Sequence, residues 1–492
     1  MKKRITFLLV IAMLFALSVP CFSIPAVAET DDGAEAVLMS SDGIEFERGA
    51  FDDIVAMAQP GDVIKLLSDV LTRTQISLHG DNITLDGDGH TIYYGGTDYI
   101  FHICGGDASY HGSDNTCDDK PVGTVYLKNF TAKFIADRAG GIKTYNRTSL
   151  HCENVNIFSD DLGHLSARNC KSDDITYTYI NCNFITTGQA IFTFRPDQTL
   201  NIYGGYFESH TARALRVNDG MTANIYGAIF ATRNLKSDSA AAKSTGNLNM
   251  AGCTFINFNG EDTFITEEGK GTTVGADSSL ILNTTEGKYS IATLLEGVKL
   301  NISGGTPAST SNTSIKFGGS VKENGIRFRT TVDSAAIARA ESLKDADTKI
   351  SFGTLIVPIE YLDGQTIFNE GVAKLVGCEY IDIKAKDGIV NELNGDVVLN
   401  AALVDIKAEH VNTEFTAVAY FEYVRDGITV REYGLYDAVA NTASIAGLAV
   451  IAEADVSATE TATHMYKTAD GKYSPYTAEQ QAVIAAYADL AN

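Results

Sequence analysis

Lys143, Arg168, Arg195, Arg216 and Lys243 recur at spacings of 25, 27, 21 and 27 residues. Cations at such intervals suit the carboxylates or sulfates of an extended anionic polymer. Arg adds a planar fork for bidentate contact. Each cation sits in a short stretch of strand-like alternation. The stretches are Gly141-Ile-Lys-Thr-Tyr-Asn146, His164-Leu-Ser-Ala-Arg-Asn169, Ala190-Ile-Phe-Thr-Phe-Arg-Pro196, Ala214-Leu-Arg-Val-Asn-Asp219 and Ala240-Ala-Ala-Lys-Ser244. The alternation is expected to turn Ile142, Leu165, Phe192, Leu215 and Ala240 inward, with Thr144, Ala167, Phe194, Val217 and Ala242. One outward column then reads Tyr145, Arg168, Arg195, Asn218 and Lys243, and the other Lys143, Ser166, Thr193, Arg216 and Ala241. With strands stacked ~4.8 Å apart, Lys143, Tyr145, Arg168, Arg195, Arg216, Asn218 and Lys243 form one expected ligand-binding face. A one-residue slip would exchange the inward and outward sets. The competing reading is a surface ladder neutralised by Asp173, Asp174, Asp197 and Asp219.

These columns need a repeating scaffold, and the sequence contains one. Leu200-Asn-Ile-Tyr-Gly-Gly-Tyr-Phe207, Ala223-Asn-Ile-Tyr-Gly-Ala-Ile-Phe230 and Leu248-Asn-Met-Ala-Gly-Cys-Thr-Phe255 share a frame. Tyr177-Thr-Tyr-Ile-Asn-Cys-Asn-Phe184 fits it, as does Leu150 to Ile157. Phe184, Phe207, Phe230 and Phe255 lie 23, 23 and 25 residues apart. Each unit reads as short strands split by Gly, Asn and Asp turns, with no room for a helix of ~10 residues. Such units cannot bury a face alone and must stack on their neighbours. The expected fold is an all-β parallel β-helix, with weaker copies at Ile83, Val125, Leu280 and Leu300.

An open solenoid end needs a cap. Phe51, Ile54, Val55 and Ala58 mark one apolar helical face, which Pro60-Gly61 stops. Gln59-Pro-Gly-Asp-Val-Ile-Lys-Leu66 and Ile83-Thr-Leu-Asp-Gly-Asp-Gly-His-Thr-Ile92 follow. Here the chain resembles the pectate-lyase-like superfamily of right-handed parallel β-helix proteins over residues ~45–305. The resemblance implies a fold and no particular activity. The Asp86-Gly87-Asp88-Gly89 run reads as a turn between rungs. His90 and Thr97 occupy positions where a calcium loop needs acidic ligands.

Residues 306–314 read as a linker, and the repeat ends before them. Gly325–Val332, Phe352–Pro358, Asp396–Leu399 and Phe415–Phe421 read as strands. Helices are expected from Asp333 to Lys344, from Ala438 to Glu453, and from a Thr477–Gln480 capping box onward. Residues 315–492 are thus expected to form a smaller α+β domain. The strings GIRFRTTV, FGTLIVPIEYL and FTAVAYFEY resemble a C-terminal module of secreted Clostridia-type proteins. That implies a bacterial, extracellular setting.

β-Helix enzymes suggest two chemistries. Asp160-Asp161, Gly163-His164 and Asp173-Asp174 are similar to parts of the polygalacturonase pattern, which uses paired carboxylates for hydrolysis. The family's pattern needs an Asn-x-Asp before the paired carboxylates and a later Arg-x-Lys; no Asn-x-Asp precedes Asp160 and no Arg-x-Lys occurs, so polar turns are the preferred reading. A uronate lyase would need a base and a cation for the carboxylate, often with Ca²⁺ held by acidic side chains; Ca²⁺ enters only in that case. Zinc-protease, nucleophile-elbow, phosphate-loop and Cys-x-x-Cys motifs are absent. Tyr203 and Tyr226 recur 23 residues apart and offer either sugar platforms or packing within the repeat.

The 492 residues carry 38 basic and 62 acidic side chains, for a formal charge of −24. That argues against nucleic acid and anionic membranes as partners. Lys2, Lys3 and Arg4, the apolar run Ile5–Leu17 and Ala26-Val27-Ala28 form a secretory signal peptide over residues 1–28. No later stretch is apolar enough for an anchor, and Pro20 before Cys21 argues against a lipoprotein. Removing three cations takes the charge to −24 − 3 = −27. Residues 29–44 read as an extension before the β-helix of 45–305. Seven cysteines remain after cleavage, with Cys104 and Cys117 as the expected disulfide across a Gly/Asp/Ser-rich loop. The leading expectation is a secreted, monomeric protein, without assigned catalysis, that binds acidic polysaccharide or cell-wall glycan or acts in adhesion. A uronate lyase or glycoside hydrolase is the first alternative. A structural spacer that presents the C-terminal module is the second.

Overall fold

The structure, a computed structural model, describes residues 33–104, 122–135, 139–145, 147–166, 174–192, 196–234, 240–258, 264–266, 273–274, 279–284, 299–302, 308–318, 323–332, 334–365, 368–385, 391–393, 396–434, 436, 438, 441–457 and 476–491. The 1–28 signal segment, Cys117, Arg168, Asp173 and Arg195 lie outside the described residues.

A parallel β-helix forms as the repeat requires. Its strands stack in register from Val63–Leu66 to Lys299–Ile302. One inward ladder runs Ile64, Leu85, Leu127, Cys152, Tyr179, Ile202, Ile225, Met250, and every member is buried. A second runs Phe184, Phe207, Phe230, Phe255, with ring centroids 5.5, 5.4 and 5.4 Å apart. The helix Phe51–Met57 buries Phe51 and Ile54 over the first rung. The described part of the expected extension, residues 33–44, does more than precede the β-helix. Ala36–Met39 pairs antiparallel with both Glu45–Gly49 and Val63–Leu66, so it covers the first coil's edge.

The turn between the first and second strand of each rung needs positive φ. Asn129, Asn154 and Asn181 fill it at φ 56°, 54° and 50°, then Gly204, Gly227 and Gly252 at 68°, 66° and 65°. Asn and Gly are the residues that tolerate this region. Asn154 donates to Asn129 Oδ1 (3.1 Å), and Asn129 donates to Asp86 Oδ1 (3.1 Å). Asp86 also accepts from the Asp88 N–H (3.0 Å), the arrangement of a turn.

The change from Asn to Gly has a physical cause. The C-terminal module docks there, and a Cβ on Gly227 would stand 2.7 Å from Val430 Cγ1. One on Gly252 would stand 2.2 Å from Glu432 Oε1. The outward column beside these turns changes in step. It reads Asp86, Lys128, Glu153, then Ile180, Tyr203, Tyr226, Ala251. The last four are buried against Val332, Ala336, Phe421, Tyr423 and Val430. Arg425 lies 4.2 Å from the Tyr226 ring centroid and donates to its hydroxyl (3.2 Å), while Tyr203 donates to Asp426 (3.4 Å). Tyr203 and Tyr226 are each 8% exposed, so they are interface residues rather than open sugar platforms.

The module is α+β. One antiparallel sheet joins Ala308–Lys316, Gly325–Val332, Asp396–Val404 and Asn391–Leu393. A second joins Ile381–Lys384, Ser351–Pro358, Phe415–Arg425 and Ile428–Tyr433, with Thr442–Ala443 pairing beside it. The expected linker 306–314 is corrected, because Ala308–Lys316 is a strand of this module. The expected Ala438–Glu453 helix begins later, at Ile445–Ser457. The Thr477–Gln480 capping box forms at the start of Ala478–Ala488.

Candidate functional site

Lys143, Arg216 and Lys243, the expected cations among the described residues, fall on the solenoid's side sheet. Eight parallel strands form it: Ile76–His79, Phe101–Cys104, Ile142–Tyr145, His164–Ser166, Ile191–Phe192, Leu215–Val217, Ala242–Ser244 and Phe264–Thr266. Its outward column runs Ser77, His102, Lys143, Leu165, Phe192, Arg216, Lys243. Three rungs therefore correct the expected register, the last because Lys243 pairs with Arg216 instead of standing level with Asn218. His164 and Ser166 point into the core, and Leu165 and Phe192 point out. Ala241 is buried rather than part of an outward column, and Ala167, Phe194 and Thr193 lie outside the described residues.

The cause is the corner before each strand. Gly141, Gly163, Ala190, Ala214 and Ala241 stack there through backbone hydrogen bonds. A Cβ on Gly141 would lie 2.3 Å from Gly163 O, and one on Gly163 2.4 Å from Ala190 O, so the corner admits only small residues. Each corner residue precedes an inward one, and this small-residue ladder is the signal that sets the frame.

Lys143, Tyr145, Arg216, Asn218 and Lys243 are half-buried on this face. Lys143 Nζ lies 5.3 Å from the Tyr99 ring centroid and 4.9 Å from that of Tyr145. The Tyr145 ring packs 4.2 Å from His102. Arg216 lies 5.4 Å from the Phe192 ring centroid and donates to Asn218 Oδ1 (3.0 Å). Among the described residues, Lys143 and Arg216 make no ion pair. Asp174, Asp197 and Asp219 therefore do not neutralise these two. Each cation rests on an aromatic ring instead, worth about 0.5–2 kcal/mol. Sequence reasoning missed Tyr99 and His102, because Tyr99 precedes its strand and His102 lies in a rung without a cation.

The polar core beneath this face explains the register. His164 Nε2 lies 3.1 Å from Thr144 Oγ1, and its Nδ1 lies 2.6 Å from the Tyr179 hydroxyl. Ser166 bonds Tyr177 (2.8 Å), and Gln198 donates to Ser166 (3.2 Å) and Tyr177 (3.3 Å). Burial holds the His164 pKa down at about 3. The neutral ring supplies one donor and one acceptor to its two hydroxyl partners. His164 is thus a core residue and cannot touch a substrate. Asp160 accepts from Thr187 (3.0 Å), as a turn residue would. Burial, and secondarily Asp160, raise the Asp161 carboxyl.

The sign of the His164 effect follows directly. Its folded pKa lies below its unfolded value, so its site is fully stable above pH ~6.5 and loses stability as pH falls toward 3. Between pH 6.5 and 5 the wild type is expected to lose about 2 kcal/mol more than His164→Gln. Unfolding midpoints at the two pH values check this, and equal losses would contradict it.

A second cluster was not visible in the sequence. Glu208 is buried on the solenoid's long sheet, where it accepts from Tyr206, His210 Nε2 (2.8 Å) and Arg233 Nε (2.6 Å). Burial alone would raise its carboxyl, but hydrogen bonds and charge from His210 and Arg233 hold it at about 2. Arg233 stacks 4.1 Å from the Phe258 centroid. This satisfied network anchors the sheet.

Cys104 is buried, and Cys117, its expected disulfide partner, lies outside the described residues. Among the described residues, no three His, Cys, Asp or Glu side chains converge to hold a metal. No described helix is long and apolar enough to cross a membrane.

No protein-family model matches the chain. No curated protein matches it. The enzymatically active domain of tailspike protein 2 from bacteriophage CBA120 aligns over 75% of this chain and 70% of its own, at 11% identity and a TM-score of 0.24. Full-length tailspike protein 2 from an Escherichia coli bacteriophage aligns over 87% and 70%, at 13% identity and a TM-score of 0.18. Likenesses of that size carry no functional argument. None of these comparisons identifies the pectate-lyase-like superfamily or the Clostridia-type module.

Proposed function

We propose that this is a secreted glycan-binding protein that lays an acidic polysaccharide along the side sheet of its β-helix. One observation carries the reading. Lys143 and Arg216 stand half-buried on aromatic rings without an ion pair to a described residue, in a chain of charge −24. Cations without a counter-charge among the described residues, amid so much acid, suit an external anion. Lys243 extends the column by one rung, and Tyr145 and Asn218 flank it. The signal segment of residues 1–28 supports an extracellular setting. Mass spectrometry of the exported protein is expected to find Glu29 first, and a retained Met1 would overturn that part.

The binding test uses soluble fragments of gellan, a uronate-containing polymer. Lys143→Ala with Arg216→Ala is expected to weaken binding at least tenfold, which is about 1.4 kcal/mol. Wild-type affinity is expected to fall as salt rises, since exposed charges are screened. Equal binding by the wild type and the double variant would refute the proposal.

A further inference from the structure

A second face of the β-helix carries a different chemistry. The first strands of successive rungs, on the long sheet, align Tyr126, His151, Thr178, Asn201, Asn224 and Asn249 in one outward column. Thr176, Thr199 and Thr222 form a second column two residues upstream. The C-terminal module covers the next column, Ile180, Tyr203, Tyr226 and Ala251, and leaves these two half-buried or exposed. No acid, lysine or arginine stands in either column. Burial, and then the Lys128 charge, lower the His151 pKa, so its ring is neutral at pH 7. Lys128 is itself paired with Glu153 (3.7 Å).

The hydrogen-bonding capacity of this strip is only partly used. Asn249 donates to Asn224 Oδ1 (2.8 Å), and Asn224 donates to Asn201 Oδ1 (2.9 Å). That ladder steadies the rungs, but it spends one N–H of each donor amide and leaves the other. The Thr178, Thr199 and Thr222 hydroxyls bond no described residue. At the head of the ladder the Tyr126 and His151 rings stand 5.5 Å apart. A sugar fits both parts. Its C–H face stacks on rings, and its hydroxyls exchange hydrogen bonds with amides and Thr hydroxyls. The even rung spacing sets these partners along a line of about 24 Å, which suits an extended chain. Asp174, Asp197 and Asp219 are exposed at the corners that lead into the same strands, and they repel an anionic chain.

We infer that the long sheet binds an uncharged, extended β-linked polysaccharide along the strip from Tyr126 to Asn249, as a second glycan face separate from the cationic side sheet. Tyr126 and His151 stack one sugar, and the Thr and Asn side chains take the hydroxyls of those that follow. Nothing in this inference rests on the side sheet.

Titration calorimetry with cellohexaose, an uncharged β-linked glucan, tests it. The wild type is expected to bind with an affinity that salt leaves unchanged. Tyr126→Ala is expected to weaken binding about tenfold. Thr199→Val with Thr222→Val removes two hydroxyls from strand positions that favour Val. It is expected to weaken binding to a similar extent at an unchanged unfolding midpoint. Lys143→Ala with Arg216→Ala is expected to bind cellohexaose as the wild type does. No wild-type binding would overturn the inference and leave the acidic-glycan proposal standing. Full binding by the folded valine variant would also overturn it. So would loss of binding in the Lys143 and Arg216 variant, which would move the neutral glycan to the side sheet.

Discussion

Arg339→Ala is expected to destabilise the protein by about 3–5 kcal/mol and to loosen the C-terminal module from the solenoid. Glu432 is 1% exposed at that interface, paired with Arg339 and accepting from the Tyr423 hydroxyl (3.1 Å). Burial already pushes its carboxyl up, against the pull of Arg339. Without Arg339 the carboxylate keeps its desolvation cost and loses its counter-charge. Gly252 bounds the same space, so the side chain has no room to swing away. Arg339→Met with Glu432→Gln is expected to recover much of the loss, because it removes the stranded charge. Unfolding midpoints and protease sensitivity of the three proteins check this. A single variant as stable as the wild type would contradict it.

Phe230→Ala is expected to cost about 3–5 kcal/mol through lost burial and a cavity at the centre of the aromatic ladder. Phe230 is fully buried and stacks 5.4 Å from both Phe207 and Phe255, at interplanar angles of 19° and 16°. Parallel strands fix the register on either side, so the walls cannot close over the gap. Phe230→Leu keeps most of the volume and is expected to cost far less. Denaturant midpoints distinguish the two, and similar losses for both would show that the ladder packs loosely.

The β-helix was legible in the sequence because its repeat is also its register. Phe184, Phe207, Phe230 and Phe255 stand in the spacing that stacks them. The strands Gly325–Val332 and Ser351–Pro358 and the Thr477 cap were legible from local alternation and capping chemistry. The side sheet was legible in part. Reading apolar residues as inward placed Leu165 and Phe192 in the core, when His164 and Ser166 occupy it. A polar residue can sit inside when distant partners satisfy it, and Tyr177, Tyr179 and Gln198 do so across rungs. No local pattern shows such partners. Docking was hidden for the same reason. Tyr203 and Tyr226 stood out as outward aromatics, but the Arg425 and Asp426 that cover them lie about two hundred residues away.

Lysine labelling, with and without gellan fragments, tests the central claim at single-residue resolution. Lys143 and Lys243 should be protected by the glycan. Lys65 and Lys128, on the long sheet with side chains 37% and 33% exposed, should label equally in both states. Protection confined to the side sheet is the predicted result. Unchanged labelling of Lys143 and Lys243 under saturating glycan, or protection centred on Lys65 and Lys128, would contradict it.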